Sequence, residues 1–148
     1  MRSTAFRIGL TLCLGAAGCL DPELPPHVHG AIVAEAPVVP RPGEVKVWIT
    51  VTNEGPGAAW VLPPCPPFVV RTMEGDPVNA GFSCLASIPV GAVRLGPGEQ
   101  HVSTIEWRDS WRLAAGHYKL TTTIRAGVLA TDRPVSVEVQ PFSIEILP

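Results

Sequence analysis

The chain has 148 residues, with 11 basic and 13 acidic side chains and a net charge of −2. That balance leaves no cationic surplus of the kind nucleic acid or an anionic lipid surface requires. Only 16% of the residues are charged, while 17 are proline and 14 glycine, a mixture that argues against long helices and suits short strands joined by turns.

Arg2 and Arg7, the apolar run at residues 8–14, and the small residues Ala16, Ala17 and Gly18 follow the charge, apolar and small-residue order of an export signal. The apolar run is far short of the roughly 20 residues that span a bilayer. Residues 1–18 are therefore expected to be removed. Small residues placed directly before Cys19 resemble the lipobox of bacterial lipoproteins, although Ala16 stands where Leu is commonest. The resemblance implies a diacylglyceryl group on the Cys19 sulfur and a fatty acyl chain, such as palmitate, on the new amino end. Two or three acyl chains hold firmly, at about 0.8 kcal/mol per buried methylene. Leu20 after the cysteine, rather than Asp, implies sorting to an outer membrane, with the domain facing the periplasm or the surface.

Cleavage before Cys19 would leave roughly 130 residues, enough for one domain. Residues 19–29 carry three prolines and no apolar periodicity, and read as a lipidated, extended tether. Residues 30–148 read as the domain. Strand patterns recur through it: 31–39, then 45–52, where Val45, Val47, Ile49 and Val51 alternate with polar residues and Trp48. Further strands are expected at 58–62, 68–72, 88–95, 102–107 and 117–126. The last strand changes parity, from Val135, Val137 and Val139 to Phe142, Ile144 and Ile146, which calls for a bulge at Gln140-Pro141. Seven to nine such strands predict an all-β, antiparallel sandwich of the immunoglobulin-like class.

Val47-Trp48-Ile49-Thr50-Val51-Thr52-Asn53-Glu54-Gly55 is similar to the strand that opens many bacterial immunoglobulin-like domains. Leu95-Gly96-Pro97-Gly98-Glu99, Trp107 and Ala115-Gly116-His117-Tyr118-Lys119-Leu120 resemble their closing half. Residues 68–78, Phe-Val-Val-Arg-Thr-Met-Glu-Gly-Asp-Pro-Val, resemble the BsuPI-type proteinase-inhibitor domain more narrowly. Asn79-Ala80-Gly81-Phe82 departs from that pattern where a Trp is expected. The resemblance implies inhibition of a protease as the alternative to a general binding or structural role.

Cys65 and Cys84 are expected to pair, because lipidation of Cys19 and loss of Cys13 leave two thiols in an oxidising space. Pro63, Pro64, Pro66 and Pro67 around Cys65 remove backbone donors, so this segment reads as a stiff loop outside any central ladder. His27 and His29 sit in the tether and read as solvated rather than as a metal site. His101 and His117 read as surface residues. No nucleophile elbow, zinc-binding pair or phosphate loop is present, so neither an enzyme nor a cofactor is expected. Candidate contacts are Trp48, on the polar face of its strand, and Arg108, Trp111 and Arg112, because Trp and Arg dominate interface energies. The expected partner is an envelope protein or a protease. A lid over the sandwich end is the structural alternative for Trp111, and Trp107 is expected in the core.

Overall fold

The structure, a computed structural model, describes residues 27–78, 91–127 and 134–148. Period-two alternation builds the first sheet. β1 (Val28–Ala34), β3 (Val45–Asn53) and β8 (Gln100–Trp107) lie in the order β1-β3-β8, antiparallel throughout. Val45, Val47, Ile49 and Val51 turn into the core, as the alternation requires. β1 begins earlier than the sequence reading placed it: Val28 pairs with Asn53 and His29 with Thr52. Val28 packs against the core, which draws the end of the expected tether into the sheet.

The remaining strands face this sheet. β2 (Val38–Val39), β4 (Ala59–Leu62), β5 (Val69–Thr72), β6 (Pro77–Val78), β7 (Val93–Leu95), β9 (Gly116–Thr121), β10 (Thr123–Gly127), β11 (Val135–Glu138) and β12 (Phe142–Ile146) form two ladders, β11-β10-β4-β7 and β2-β12-β9-β5-β6. The ladders share their lines. β9 and β10 are one strand broken only at Thr122, with Tyr118, Leu120, Thr122, Ile124 and Ala126 all buried on one side.

β11 and β12 are likewise one line with a single extra residue. Ile124 faces Val137, whereas Tyr118 faces Ile144, so six residue steps on one strand oppose seven on the other. The parity change therefore places Val139, Ile144 and Ile146 together in the core. β4 and β5 also form one line with a larger insertion. Leu62 faces Arg125 and Val69 faces Thr121, so seven residue steps oppose four. Three surplus residues are expelled as the proline loop, which the missing N–H groups keep out of the ladder.

The two layers enclose a single core in which Phe68 meets Trp107 edge-on, ring centres 5.6 Å apart at 83°. That contact joins the end of the proline loop to the opposite sheet. Gly30 marks another close approach, because a Cβ there would lie 2.6 Å from side-chain carbons of both Ile124 and Val139. The fold is an antiparallel β-sandwich of the immunoglobulin-like class.

Asn53 closes one end of the sandwich. It is fully buried, and its Nδ2 donates to the carbonyls of Gly57 (2.7 Å), Leu95 (3.1 Å) and Gly96 (3.1 Å), while Oδ1 accepts from the Gly55 N–H. One side chain thus satisfies the turns that follow β3 and β7, as a buried amide must.

Candidate functional site

The outer face of the β1-β3-β8 sheet displays an aromatic residue among aliphatic ones. Trp48 stands between Val33 on β1 and Thr104 on β8, and in the next row Thr50 stands between Ala31 and Val102. Val33 and Val102 are 45% and 46% exposed. Trp48 is half-buried against its neighbours. The opposite row is charged: Lys46 faces Glu106 across the strands.

Arg108 extends that charged edge. Its Nε lies 3.1 Å from Glu44 Oε2 and one terminal nitrogen 2.8 Å from Glu106 Oε2, so its charge is balanced within the chain. These exposed pairs contribute at most about 1 kcal/mol. The short 3-10 turn Asp109–Arg112 follows. Ser110 inside it is buried and donates from Oγ to the Gly43 carbonyl at 2.7 Å, and Leu113 just beyond is buried in the core. The turn is thereby fastened over the end of the sandwich. Arg112 is exposed, and the side chain of Trp111 lies outside the described ones. Trp48 and Arg108 therefore share one face, separated by the Lys46–Glu106 row.

The outer face of the opposite sheet carries a groove that sequence reasoning did not find. It encloses about 470 Å³ between the proline loop and the polar face of β9 and β10. Thr121, Thr123 and Arg125 form its floor, with Arg71 from β5 and Ser136 from β11 at its margins. Arg71 is held in place, donating from Nε to Thr121 Oγ1 (3.3 Å) and from a terminal nitrogen to the Gly75 carbonyl (2.8 Å). The Thr122 hydroxyl fixes the wall by donating to the Pro67 carbonyl at 2.7 Å. Cys65 and Pro66 project from the loop into solvent. Cys84 and Cys19 lie outside the described residues.

The only signal for the groove was the polar half of the 117–126 alternation. Nothing in the chain shows which residues stand opposite it. Trp60 lies outward on β4 beside Arg94, a pairing that the local pattern of 58–62 does not reveal.

The histidines are dispersed. His27 lies 3.4 Å from Glu54 and His29 pairs with Thr52 on β1. His117 is exposed. His101 is half-buried in the inward row of β8, its Nε2 3.3 Å from Ser103 Oγ, and differs in that from the surface position expected. Among the described residues no three His, Cys, Asp or Glu side chains gather as metal ligands. Among them, too, no helix is long and apolar enough to cross a membrane. One carboxyl is held clearly below its ordinary value: Glu74, by a hydrogen bond from its own backbone amide, then by the Thr72 hydroxyl and the Lys119 charge.

No family model and no curated protein matches the chain. Solved structures do resemble it. The C-terminal domain of wzt superposes with a TM-score of 0.51 at 17% identity, covering 80% of this chain and 71% of that one. A putative ApaA protein from Bordetella pertussis gives 0.48 at 15% identity, covering 84% and 96%. The CARDB domain of a Pyrococcus furiosus protein, solved with a pair of metal ions, gives 0.46 at 17% identity, covering 82% and 89%. At 17% identity the likeness to the wzt domain is one of fold, and fold does not carry function with it.

Proposed function

We propose that this chain is a lipid-anchored protein of a bacterial envelope, held by acyl chains on Cys19, whose sandwich is a non-catalytic module that binds another envelope protein. The observation that supports a binding role is the Trp48 face. A tryptophan ringed by exposed valines and threonines and edged by charged residues has the layout of an interface centre with a polar rim. A photo-crosslinker placed at Val102 in living cells is expected to trap one discrete partner. The same group at Ser143, on the opposite sheet, is expected to trap none, and Trp48→Ala is expected to abolish the Val102 adduct with the fold intact. Equal crosslinking from both faces would refute the reading.

A second reading, inhibition of a serine protease as in the BsuPI-type domain, is favoured by one feature. The proline loop is stiff, projects Cys65 and Pro66, and is fastened by Thr122, and such preorganisation lowers the ordering cost of binding. Nanomolar inhibition of a subtilisin-like protease, lost when residues 63–67 are altered, would install this reading over the first. No inhibition is expected.

A further inference from the structure

We infer that the groove beneath the proline loop is a second binding site, and that it takes an acidic saccharide. Three observations converge on this ligand class. The first is charge. Among the described residues neither Arg71 nor Arg125 has a carboxylate within ion-pairing distance, whereas Arg108 on the other sheet has two. Arg71 uses Nε and one terminal nitrogen internally, which leaves the other terminal nitrogen free to donate. A guanidinium without an internal counter-ion, lining a groove, suits carboxylates, which it pairs in a fixed planar geometry.

The second is the floor. Thr123 and Ser136 give hydroxyls that both donate and accept, while Thr121, whose hydroxyl donates to the Val69 carbonyl at 3.2 Å and accepts from Arg71, keeps only acceptor capacity. On a strand rising about 3.3 Å per residue, Thr121 and Arg125 lie roughly 13 Å apart. That is the scale of a short oligosaccharide, and the volume of about 470 Å³ falls within the usual range for small-molecule sites.

The third is what the backbone has already done. β9 and β10 are interior strands, paired with β12 and β11 on one side and with β5 and β4 on the other. A peptide lying along them finds no free ladder and cannot bind by strand addition. Recognition runs through side chains: the hydroxyl and guanidinium groups of the floor match the polar groups of a polyhydroxylated acid, and the proline wall matches the C–H face of its rings. The site is distinct from the Trp48 face and does not depend on it.

Calorimetric titration of the full chain with tetragalacturonate tests the assignment against tetragalactose and tetraglutamate. Saturable binding of the acidic sugar alone is expected, weakening as salt rises. Arg125→Ala and Arg71→Ala are each expected to weaken it about tenfold or more. Because Arg71 also holds the Gly75 carbonyl, Arg125→Ala, which breaks no side-chain bond among the described residues, is the decisive variant. Trp48→Ala is expected to leave the titration unchanged. Equal binding of the neutral sugar, tighter binding of the peptide, undiminished binding by Arg125→Ala, or no binding of tetragalacturonate would each overturn the inference.

Discussion

Thr122 donates its hydroxyl to the Pro67 carbonyl across 2.7 Å, and its own carbonyl accepts from the Val139 N–H at 3.4 Å. One residue in the middle strand thus holds the two places where its neighbours depart from regular pairing: the expelled proline loop on one side and the extra residue of the β11–β12 line on the other. A threonine sits in an otherwise apolar inward row because a carbonyl there needs a donor.

Thr122→Val keeps the shape and removes that donor. The variant is expected to lose about 1–2 kcal/mol, read from chemical denaturation. It is also expected to show faster amide exchange at Phe68 and Val69, while exchange in β3 stays unchanged. Unaltered exchange at the loop would show that the prolines alone hold it.

Asn53→Ala is expected to be the more damaging change. It removes the side-chain partner of the buried Leu95 carbonyl and of the buried Gly55 N–H, and each unsatisfied buried group costs about 1–3 kcal/mol; the Gly96 carbonyl keeps the Glu99 N–H and the exposed Gly57 carbonyl turns to water. The effects overlap at one site, so a total loss of roughly 3–4 kcal/mol is expected on thermal unfolding. Asn53→Asp is expected to fall short of rescue, since a carboxylate has no donor for the three carbonyls.

Glu74 supplies a pH dependence with a definite sign. Its carboxyl titrates below the ordinary value of 4.5, first because of its backbone amide, then because of Thr72 and Lys119. A depressed carboxylate favours the folded turn above the unfolded value, and that favour is lost as the pH falls through the folded one. Order in the turn of residues 72–77 is therefore expected to decline below pH 4.5, visible in the Glu74 carboxyl resonance. Thr72→Val should raise the midpoint; an unmoved midpoint would remove the hydroxyl as a cause.

The proposed Cys65–Cys84 bond predicts that the unreduced protein exposes neither thiol to a titrating reagent. Replacing both by alanine is expected to cost up to roughly 3 kcal/mol, the chain-entropy value for a loop of about twenty residues. Two reactive thiols in the folded protein would dismiss the bond.

Cys19→Ser is expected to leave the chain uncleaved or to move it from the detergent phase to the aqueous phase. A wild-type chain already in the aqueous phase would end the lipoprotein proposal.

The alternation at Val45–Val51 and the parity change between Val139 and Phe142 made the sandwich and its small bulge legible from residue order, because burial acts on each strand locally. The groove was not legible. Arg71 and Thr121 are fifty positions apart, and only the three-residue surplus in β4–β5 sets which of them meet. Trp48 was readable as outward-facing, but its valine neighbours come from strands whose register lies nowhere in the local pattern.

The surplus on the β4–β5 line is odd in number, which is why Ala59 and Val61 point inward at odd positions and Phe68 and Val70 at even ones. Excising three residues from the loop would bring the two halves back into a single alternation, with every core side chain still on its proper side. The sandwich and the groove are in that sense separately heritable. A sister protein lacking those three residues would keep the architecture and the Trp48 face intact while possessing no groove, so shared fold among such chains is no guide to shared ligand.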